Sequence, residues 1–548
     1  MASRNLQYRK RGYVIAAVAI ASSFISGPLS AQQAPDAGRI LEDLRPTPVP
    51  SPEGRTVEIP PLAPSNLLPG GQTATLKSIA LKGLANIPEQ DVRDHLGTEV
   101  FNAPLDLAGL RGVADKISLY LRQKGLPFAR AVLPPQNLSS GELIVEVYEG
   151  FYGQARATSP DAKLAATAQM FLDGLPGRVI DASRLERVTL LIDDLPGVSV
   201  NPIIRPGANT GEGDLQIEVT QTEKYGGSVS VDNHGSRFSG AWRGQGSFQI
   251  NAAATPGDQL SVSAMLSNED LRLGSLGYSL PLGGDGWRGQ ANYSSVKYQL
   301  GAGFEGFEGT ARVSSIGLSY PIVRSRVSNV TASLSYQYKD LEDQRLGEPA
   351  EKKTAKVTPL LLSFDRRDGL GGGGITYGAL TVSNGSIKEL GTDKNFTRWN
   401  VDLSRLQSIN PTWTVMGRFI GQRANTNLDS SEGLSLGGAQ GVRAYPNGEG
   451  SGDEGWLIQL EARASLGAFS PYGFYDHGKV QVDAKPELNP GPRAPDVERS
   501  GLGVGVRFAF AGWSLDTAVA WRATDDKPTS DTKRESKPRV WAQARYGF

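Results

Sequence analysis

The sequence predicts an all-β transmembrane barrel of about 16 antiparallel strands, preceded by two small α/β domains and a short N-terminal helix. Throughout residues 222–548, apolar and polar residues alternate in segments of about ten residues, separated by clusters of Gly, Pro, Asn or Asp. Such segments are typical of strands that cross a membrane with one face toward lipid. An export signal at the N-terminus and an aromatic residue, Phe548, at the C-terminus agree with this fold.

Composition excludes several classes of function. Lys plus Arg and Asp plus Glu both number 57, so the formal net charge is zero and nothing points to a nucleic-acid partner. The chain has no cysteine, which excludes disulfides, thiolate metal sites and thiol catalysis. Its histidines, His95, His234 and His477, lie far apart, and no pair has the spacing of metal ligands. We therefore expect neither a metal nor another cofactor.

Residues 1–31 have the pattern of a cleaved secretory signal. Basic residues, including Arg4 and Arg11, precede an apolar run over 13–25, and the residues up to Ala31 form a suitable cleavage site. The alternative is a membrane anchor, but the run is shorter than the ~20 apolar residues that a spanning helix needs. The sequence therefore favours cleavage and export.

Residues 32–45 and 46–74 differ sharply in composition. The segment from Asp36 to Leu44 predicts a short helix with Asp36 as its N-cap, and its apolar residues, including Ile40, lie on one side. Residues 46–74 form a Pro-rich linker, which favours a stiff and extended chain. At about 3.1 Å per residue, some 26 residues of this linker could reach roughly 80 Å, which exceeds the thickness of a membrane.

Residues 75–149 and 150–221 predict two α/β domains. In the first, a strand is followed by a short helix over 87–95, by a longer helix with apolar residues at steps of three and four, and by two further strands. The stripe of the longer helix consists of Leu107, Leu110, Ala114, Ile117 and Leu121. The second domain is more divergent, with a helix around 185–192 and a last strand over 214–219.

Alternation alone also fits a soluble β-sandwich, but three further features favour a membrane barrel. The segments are long enough for the ~9–11 residues of a tilted spanning strand. Charged residues lie on the second face, as where Glu461 follows Leu460. Tight turns such as 255–258 alternate with expected longer loops, such as 344–354 and 483–498.

The last strand carries a further mark of a membrane barrel. Its apolar residues share one parity and end on Tyr546 and Phe548. These two residues resemble the C-terminal signal by which outer-membrane barrels are recognised for assembly. The resemblance implies the barrel-assembly machinery and periplasmic chaperones as partners, and outer-membrane lipids around the barrel.

Two short motifs resemble those of a known family. A long Gly-rich loop, 425–454, contains the sequence GVRAYP, and the next strand but one contains FYDHG. The matching residues are Val442, Arg443, Ala444, Tyr445 and Pro446 in the loop and Phe474, Asp476 and Gly478 in the strand. They resemble the VRGY/F and FxDxG motifs of the outer-membrane transporters of two-partner secretion. The two α/β domains resemble the POTRA domains of the same transporters.

The resemblance implies a specific contact inside the lumen. Arg443, at the tip of an inward-folded loop, would pair with Asp476 on the barrel wall, with Tyr445 packed alongside. A guanidinium is a planar, bidentate partner for a carboxylate, and a narrow lumen screens the pair less than an open surface does. One residue departs from the motif, because Ala444 stands where the family has glycine. If that position requires a positive φ, alanine strains the loop tip.

As a whole, the resemblance implies an outer-membrane transporter with its POTRA domains in the periplasm. Its partner would be a large β-helical exoprotein, an adhesin or a cytolysin, which it secretes and can activate. The exoprotein would bind unfolded on the POTRA domains and thread the barrel, while helix 32–45 would be a plug that leaves the pore. The alternatives are a barrel-assembly insertase of the same superfamily, a passive porin and a secreted β-sandwich enzyme.

The loop also contains a pattern typical of hydrolases. Residues Gly433–Gly437 (GLSLG) fit the G-x-S-x-G nucleophile elbow. That elbow requires a strand before it and a helix after it. Because further Gly-rich sequence follows here, we expect no enzyme activity from this pattern.

Overall fold

The computed structural model describes residues 35–42, 48–52, 68–101, 103–389, 391–488, 495–531 and 538–548. The predicted signal, most of the linker and Leu44 lie outside the described residues. Among the residues described, no helix is both long and apolar enough to cross a membrane. The helices are α1 (Ala37–Glu42), α2 (Glu89–Leu96), α3 (Leu107–Gln123), α4 (Ala162–Gln169) and α5 (Ala182–Asp193).

Two α/β domains precede the barrel, and each has a three-stranded sheet with one parallel and one antiparallel pair. The sheet orders are β2-β5-β4 and β6-β8-β7. The strands of this region are β1 (Ala74–Thr75), β2 (Ser78–Lys82), β3 (Pro104–Leu105), β4 (Arg130–Val132), β5 (Glu142–Tyr148), β6 (Phe151–Thr158), β7 (Val198–Pro206) and β8 (Glu212–Gln221). The short strands β1 and β3 pair with each other outside the two sheets.

The helix α3 shows why the first domain folds as the sequence predicts. Of the apolar residues predicted to face the core, Leu107 is 52% exposed. The other four, Leu110, Ala114, Ile117 and Leu121, are buried in the core of the domain. Asp106 caps the helix by accepting from the backbone N–H of Gly109 at 2.8 Å. It also accepts from Gly70 N–H at 2.6 Å. These bonds lower the pKa of the Asp106 carboxyl, and the bond from Gly109 has the largest effect.

Of the remaining described strands, 16 form a closed antiparallel barrel, as the sequence predicts. Each barrel strand pairs with the next barrel strand in the chain. Two short strands, β20 and β21, lie outside the barrel in the long loop between β19 and β22. In chain order the strands are β9 (Tyr225–Asp232), β10 (Arg243–Asn251), β11 (Gln259–Ser267), β12 (Arg272–Pro281), β13 (Arg288–Gln299), β14 (Phe307–Arg324), β15 (Ser328–Arg345), β16 (Glu348–Asp368), β17 (Gly374–Glu389), β18 (Thr392–Ser408), β19 (Trp413–Ala424), β20 (Leu434–Ser435), β21 (Ser451–Gly452), β22 (Glu454–Ala464), β23 (Phe469–Gln481), β24 (Val497–Phe510), β25 (Trp513–Arg522) and β26 (Arg539–Gly547).

The two faces of the strands differ as the alternation predicts. On β24, Val504 is 56% exposed and Phe510 is 67% exposed, whereas the inward Glu461 on β22 is 2% exposed. Aromatic pairs lie near the barrel end that carries the α/β domains, as between Trp287 and Tyr320, with ring centroids 4.7 Å apart. An aromatic band at this level is typical of a barrel in a membrane.

One predicted loop is wrong. Residues 344–354 are mostly strand, because β15 continues to Arg345 and β16 begins at Glu348, so that only a two-residue turn separates them. The charges of this segment suggested a loop, but Lys353 points into the lumen and pairs there with Asp429 at 2.8 Å. In the predicted loop at 483–498, the described residues 483–488 and 495–496 lie between β23, which ends at Gln481, and β24, which begins at Val497.

The barrel closes where β26 pairs with β9. The backbone of the terminal Phe548 exchanges hydrogen bonds of 2.9 and 3.0 Å with Gly227. A Cβ atom added at Gly227 would lie 2.8 Å from Cζ of the Phe548 ring. The glycine therefore leaves room for the terminal aromatic ring at the closing seam.

We predict that Gly227→Val destabilises the barrel by about 1–3 kcal/mol, because the new side chain overlaps the Phe548 ring and the Ser247 carbonyl oxygen, which lies 2.6 Å from an added Cβ. The folded band on an unheated SDS gel should then be lost at a lower temperature. Gly246→Val is the matched control, since a Cβ atom there meets nothing within 4 Å. Equal melting of the two variants would contradict the assignment of Gly227 to the seam.

Candidate functional site

The loop between β19 and β22 folds into the lumen of the barrel. All five residues of the predicted tip motif, Val442, Arg443, Ala444, Tyr445 and Pro446, are buried. The tip is a tight turn in which Tyr445 N–H donates to the carbonyl of Val442 at 3.0 Å. In the described part of this loop, no α-helix follows the GLSLG segment, so the nucleophile-elbow geometry is not formed.

The structure brings Arg443 and Asp476 together as a buried, bidentate pair. Arg443 Nε donates to Asp476 Oδ2 at 2.9 Å, and Nη2 donates to Oδ1 at 2.7 Å. The backbone N–H of Arg443 donates to the same Oδ2 at 3.0 Å. Asp476 is completely buried. One carboxylate therefore fixes both the side chain and the main chain of the loop tip.

Three further residues complete the surroundings of Arg443. Its Nη1 donates to Glu461 Oε2 on β22 at 3.1 Å, and its carbonyl accepts from Trp541 Nε1 on β26 at 2.7 Å. The guanidinium lies 3.5 Å from the centroid of the Phe474 ring. A buried charge is stable only when it is paired and hydrogen-bonded, and Arg443 meets both conditions.

The sequence did not identify Glu461 or Trp541 as partners of Arg443. Glu461 was recognisable only as a charged residue on the inward face of its strand. It also pairs with Arg507 Nη1 at 2.7 Å and with Arg463 Nε at 2.5 Å, so three arginines share this carboxylate. Contacts between strands that are distant in sequence leave no local signal that could have revealed them.

A row of glycines on β24 accommodates the motif residues. Cβ atoms added at Gly503 and Gly505 would overlap the rings of Phe474 and Tyr472. A Cβ atom at Gly501 would lie 2.5 Å from the Ala444 methyl. This row explains how two large rings and a charged pair fit on one face of the neighbouring strand.

The remaining motif residues also lie at the site. Ala444 is not among the residues with a positive φ, so alanine causes no backbone strain at the tip. Gly478 receives Leu436, whose Cδ2 would be 2.8 Å from an added Cβ. The Tyr445 ring is completely buried, and the Arg499 guanidinium lies 5.2 Å from its centroid.

A second anchor holds the loop beyond its tip. Glu449 is completely buried and accepts from Arg499 Nε at 2.9 Å and Nη2 at 2.7 Å. It also accepts from the backbone N–H groups of Thr529 at 2.9 Å and Ser530 at 2.8 Å. The loop is thereby fixed to the segment that follows β25.

A third anchor holds the arm of the loop that precedes the tip. Glu432 is completely buried and pairs with Arg398 at 2.9 Å and with Lys339. Asp429 pairs with Lys353 at 2.8 Å. These cations lie on β15, β16 and β18, so the loop is held on both sides of the lumen.

The N-terminal helix α1 lies in the lumen on this same arm. Asp36 caps the helix by accepting from Arg39 N–H at 2.9 Å, and its Oδ1 also accepts from Ser430 Oγ at 2.9 Å. Ala37 N–H donates to Asp343 on β15 at 3.0 Å. Ile40 is 4% exposed among apolar residues of the wall.

We predict that Gly501→Ala weakens seating of the loop tip by about 1–3 kcal/mol, because the new methyl overlaps that of Ala444. Added protease should then cleave the 425–453 loop faster in the folded barrel. Ala444→Gly in the same chain should restore the original rate. Gly473→Ala is the control, with its nearest atom 3.9 Å away. A failed rescue would show that the two residues do not determine seating together.

Comparisons with known proteins agree with this architecture. The profile of the family described as "Haemolysin secretion/activation protein ShlB/FhaC/HecB" matches residues 211–508. The profile "POTRA domain, ShlB-type" matches residues 74–150.

Among relatives, the heme/hemopexin transporter protein HuxB of Haemophilus influenzae is 26% identical over 456 residues, which cover 78% of this chain and 79% of HuxB. The outer membrane transporter CdiB of Escherichia coli is 24% identical over 431 residues, which cover 74% of this chain and 72% of that protein.

The solved structure of CdiB from Escherichia coli has the same fold. It superposes with a TM-score of 0.71 at 21% identity, and the match covers 93% of this chain and 95% of that one. The family profile covers the barrel from β9 into β24, together with the loop and the motif residues Phe474, Asp476 and Gly478. The chain therefore belongs to the haemolysin secretion/activation protein family ShlB/FhaC/HecB, and it is an outer-membrane β-barrel transporter that secretes an exoprotein.

Proposed function

We propose that this transporter closes its lumen at rest with the helix α1 seated on the inward-folded loop, and that an unfolded exoprotein displaces the helix during secretion. One observation carries the proposal: α1 lies between Asp343 on the wall and Ser430 on the loop. The loop tip is in turn held by Asp476. The helix is therefore seated on an element that is itself fixed to the barrel.

The contacts differ in strength in a way that suits this cycle. The loop is fixed by Asp476, Glu449 and Glu432, which all form buried, charge-assisted bonds. The helix spans only Ala37–Glu42, and isolated helices shorter than about 12–15 residues are marginal in water. The helix can thus leave and unfold while the loop remains in place.

The periplasmic domains supply the expected entry side. The second domain contacts the barrel through Asp194, which binds Arg324 at 2.7 Å through two nitrogens. We propose that the exoprotein adds a strand to an exposed sheet edge of the POTRA domains before it enters. Related proteins are named as transporters of heme/hemopexin and of hemolysin. We propose a large β-helical adhesin or cytolysin as the partner, which the transporter secretes and activates.

The same proposal includes the remaining partners and excludes catalysis. Residues 1–31 direct export, and Tyr546 and Phe548 present the C-terminal strand to the barrel-assembly machinery after periplasmic chaperones have delivered the chain. Outer-membrane lipids surround the apolar face. No catalytic step is needed, because folding of the exoprotein outside the cell supplies the driving force.

The insertase and the porin, the two membrane-barrel alternatives, fit less well. A barrel-assembly insertase typically carries more POTRA domains, and the similar fold of BamA from Haemophilus ducreyi, with a TM-score of 0.51 at 12% identity, concerns the fold alone. A passive porin needs neither periplasmic domains nor a lumen occupied by a loop and a helix. Both features therefore favour secretion of a polypeptide.

We predict that Arg443→Ala reduces secretion at least tenfold, because it removes the bidentate pair that seats the loop, while the barrel still inserts. Asp476→Ala should behave alike, and the double variant should be less than additive, since the two side chains act as one pair. Secretion is measured beside heat-modifiability of the barrel. Arg405→Ala is the control, because it breaks an ion pair of 2.5 Å with Asp368 on the barrel wall, and its further bonds go to Thr376 and Gln407 of the wall strands β17 and β18. Normal secretion by Arg443→Ala would disprove the role of the pair.

We predict that Gly38→Leu raises the conductance of the barrel in planar bilayers and leaves secretion largely intact. A Cβ atom at Gly38 would lie 2.7 Å from the backbone nitrogen of Ser431, so a larger side chain prevents the helix from seating. Arg39→Gln on the same helix should conduct like the parent. Unchanged conductance in a correctly folded Gly38→Leu variant would show that the helix does not close the pore.

A further inference from the structure

The periplasmic mouth of the barrel holds a short stretch of the chain's own linker. The N–H of Ser51 donates to Asp365 Oδ2 on β16 at 3.1 Å. The carbonyl oxygen of Ser51 accepts from Arg367 Nη2 at 2.7 Å. Both bonds go to the main chain, so any residue except proline could make them in the same conformation.

Asp365, which accepts the hydrogen bond from the Ser51 N–H, is part of the barrel wall. The Asp365 side chain is 3% exposed, and its Oδ1 accepts from Asn329 Nδ2 at 2.9 Å and from Arg367 Nη1 at 3.1 Å. Asn329 accepts in turn from Arg324 at 3.0 Å, and Arg324 binds Asp194 of the second POTRA domain at 2.7 Å. The oxygen that faces the linker is thus oriented by a network that reaches the periplasmic domain.

Space for further polypeptide lies next to this pair. A cavity of about 650 Å³ opens between the second POTRA domain and the barrel wall, and Ser51 is part of its lining. Asp194 and Arg324 line it on the side of the domain, and Thr331 lines it on the side of the lumen. A chain that passes from the domain into the barrel can enter through this cavity.

We propose that Asp365 and Arg367 form a main-chain binding site for extended polypeptide, which the linker occupies at rest and the exoprotein occupies in transit. The inference rests on the proposed function, because it requires a chain in transit. A transporter of unfolded protein must hold segments of changing sequence. A carboxylate that accepts from the N–H and a guanidinium that donates to the C=O recognise only the peptide unit, and both bonds are charge-assisted.

The occupied state is tested with a photo-crosslinking amino acid at position 331, which lines the cavity. Ser51→Pro removes the N–H that Asp365 accepts, and the linker already has proline on both sides of this residue. The crosslink from 331 to the linker should fall about tenfold. Val49→Pro is the matched control, because Val49 is 81% exposed, and it should keep the crosslink. Equal yields in both variants would overturn the assignment of the linker contact.

The general site is tested with peptides on the purified, full-length Ser51→Pro variant. Two synthetic peptides are added, one with the linker sequence 46–56 and one with that sequence shuffled. Both should crosslink to position 331 with yields within about twofold. A peptide of proline alone, which has no N–H, should crosslink about tenfold less. Arg367→Ala, with its folding checked by heat-modifiability, should weaken both peptides alike.

A crosslinker at position 332 is the control for nonspecific binding. Ala332 has the parity of Leu334, which is 52% exposed on the outer face, so neither peptide should react there. Binding of the linker sequence alone would overturn the proposal, since the contact would then be a specific clip for the linker. Binding of neither peptide would overturn it as well. The peptide experiment uses no exoprotein, so its result does not depend on secretion. If the peptides bind but the protein secretes no exoprotein, the proposed function is contradicted and the main-chain binding site is not.

Discussion

The arrangement of the lumen depends on one buried ion pair. Arg443 and Asp476 are 7% and 0% exposed, and a charge at such a depth must be matched by a partner of suitable geometry. Asp476 meets this condition twice, through the guanidinium and through the backbone N–H of the same residue. Removing the Arg443 side chain would leave the buried Asp476 carboxylate without this cation, which is costlier than losing an exposed ion pair.

This pair gives the loop a fixed position from which the other contacts follow. Glu449 and Glu432 extend the attachment to both arms, and Ser430 on the first arm carries the cap of α1. The lumen therefore contains a strongly held element and a weakly held one. Because the loop is held by buried ion pairs and α1 is not, the helix can leave the lumen before the loop does. This order does not depend on a single gate residue.

Local patterns in the sequence were sufficient for much of the fold. The apolar stripe of α3, the strand parity around Leu460 and Glu461 and the number of barrel strands follow from periodicity, which is a property of neighbouring residues. The segment 344–354 was misread as a loop because of its many charges, but one of them, Lys353, lies in the lumen and pairs with Asp429 of the inward-folded loop.

Contacts across the lumen could not be predicted in the same way. Trp541 and Arg443 are 98 residues apart, and the Ser430–Asp36 bond joins residues separated by 394 positions. The resemblance suggested the pair of Arg443 with Asp476, Tyr445 packed alongside it and a helix in the pore, but it named no partner for that helix. The glycine row opposite Phe474 appeared in the sequence merely as part of an alternating strand, because its purpose depends on the rings of the neighbouring strand.

The central claim is that the Arg443–Asp476 pair, through the loop, keeps α1 in the lumen. The chain has no cysteine, so spin labels at positions 39 and 348 would be the only two in the molecule. Pulsed EPR should give one narrow distance between them in the parent chain. In Asp476→Asn, we predict a second, broad component from helices that have left the lumen. An unchanged narrow distance in that variant would contradict the account, since the helix would then be held independently of the pair.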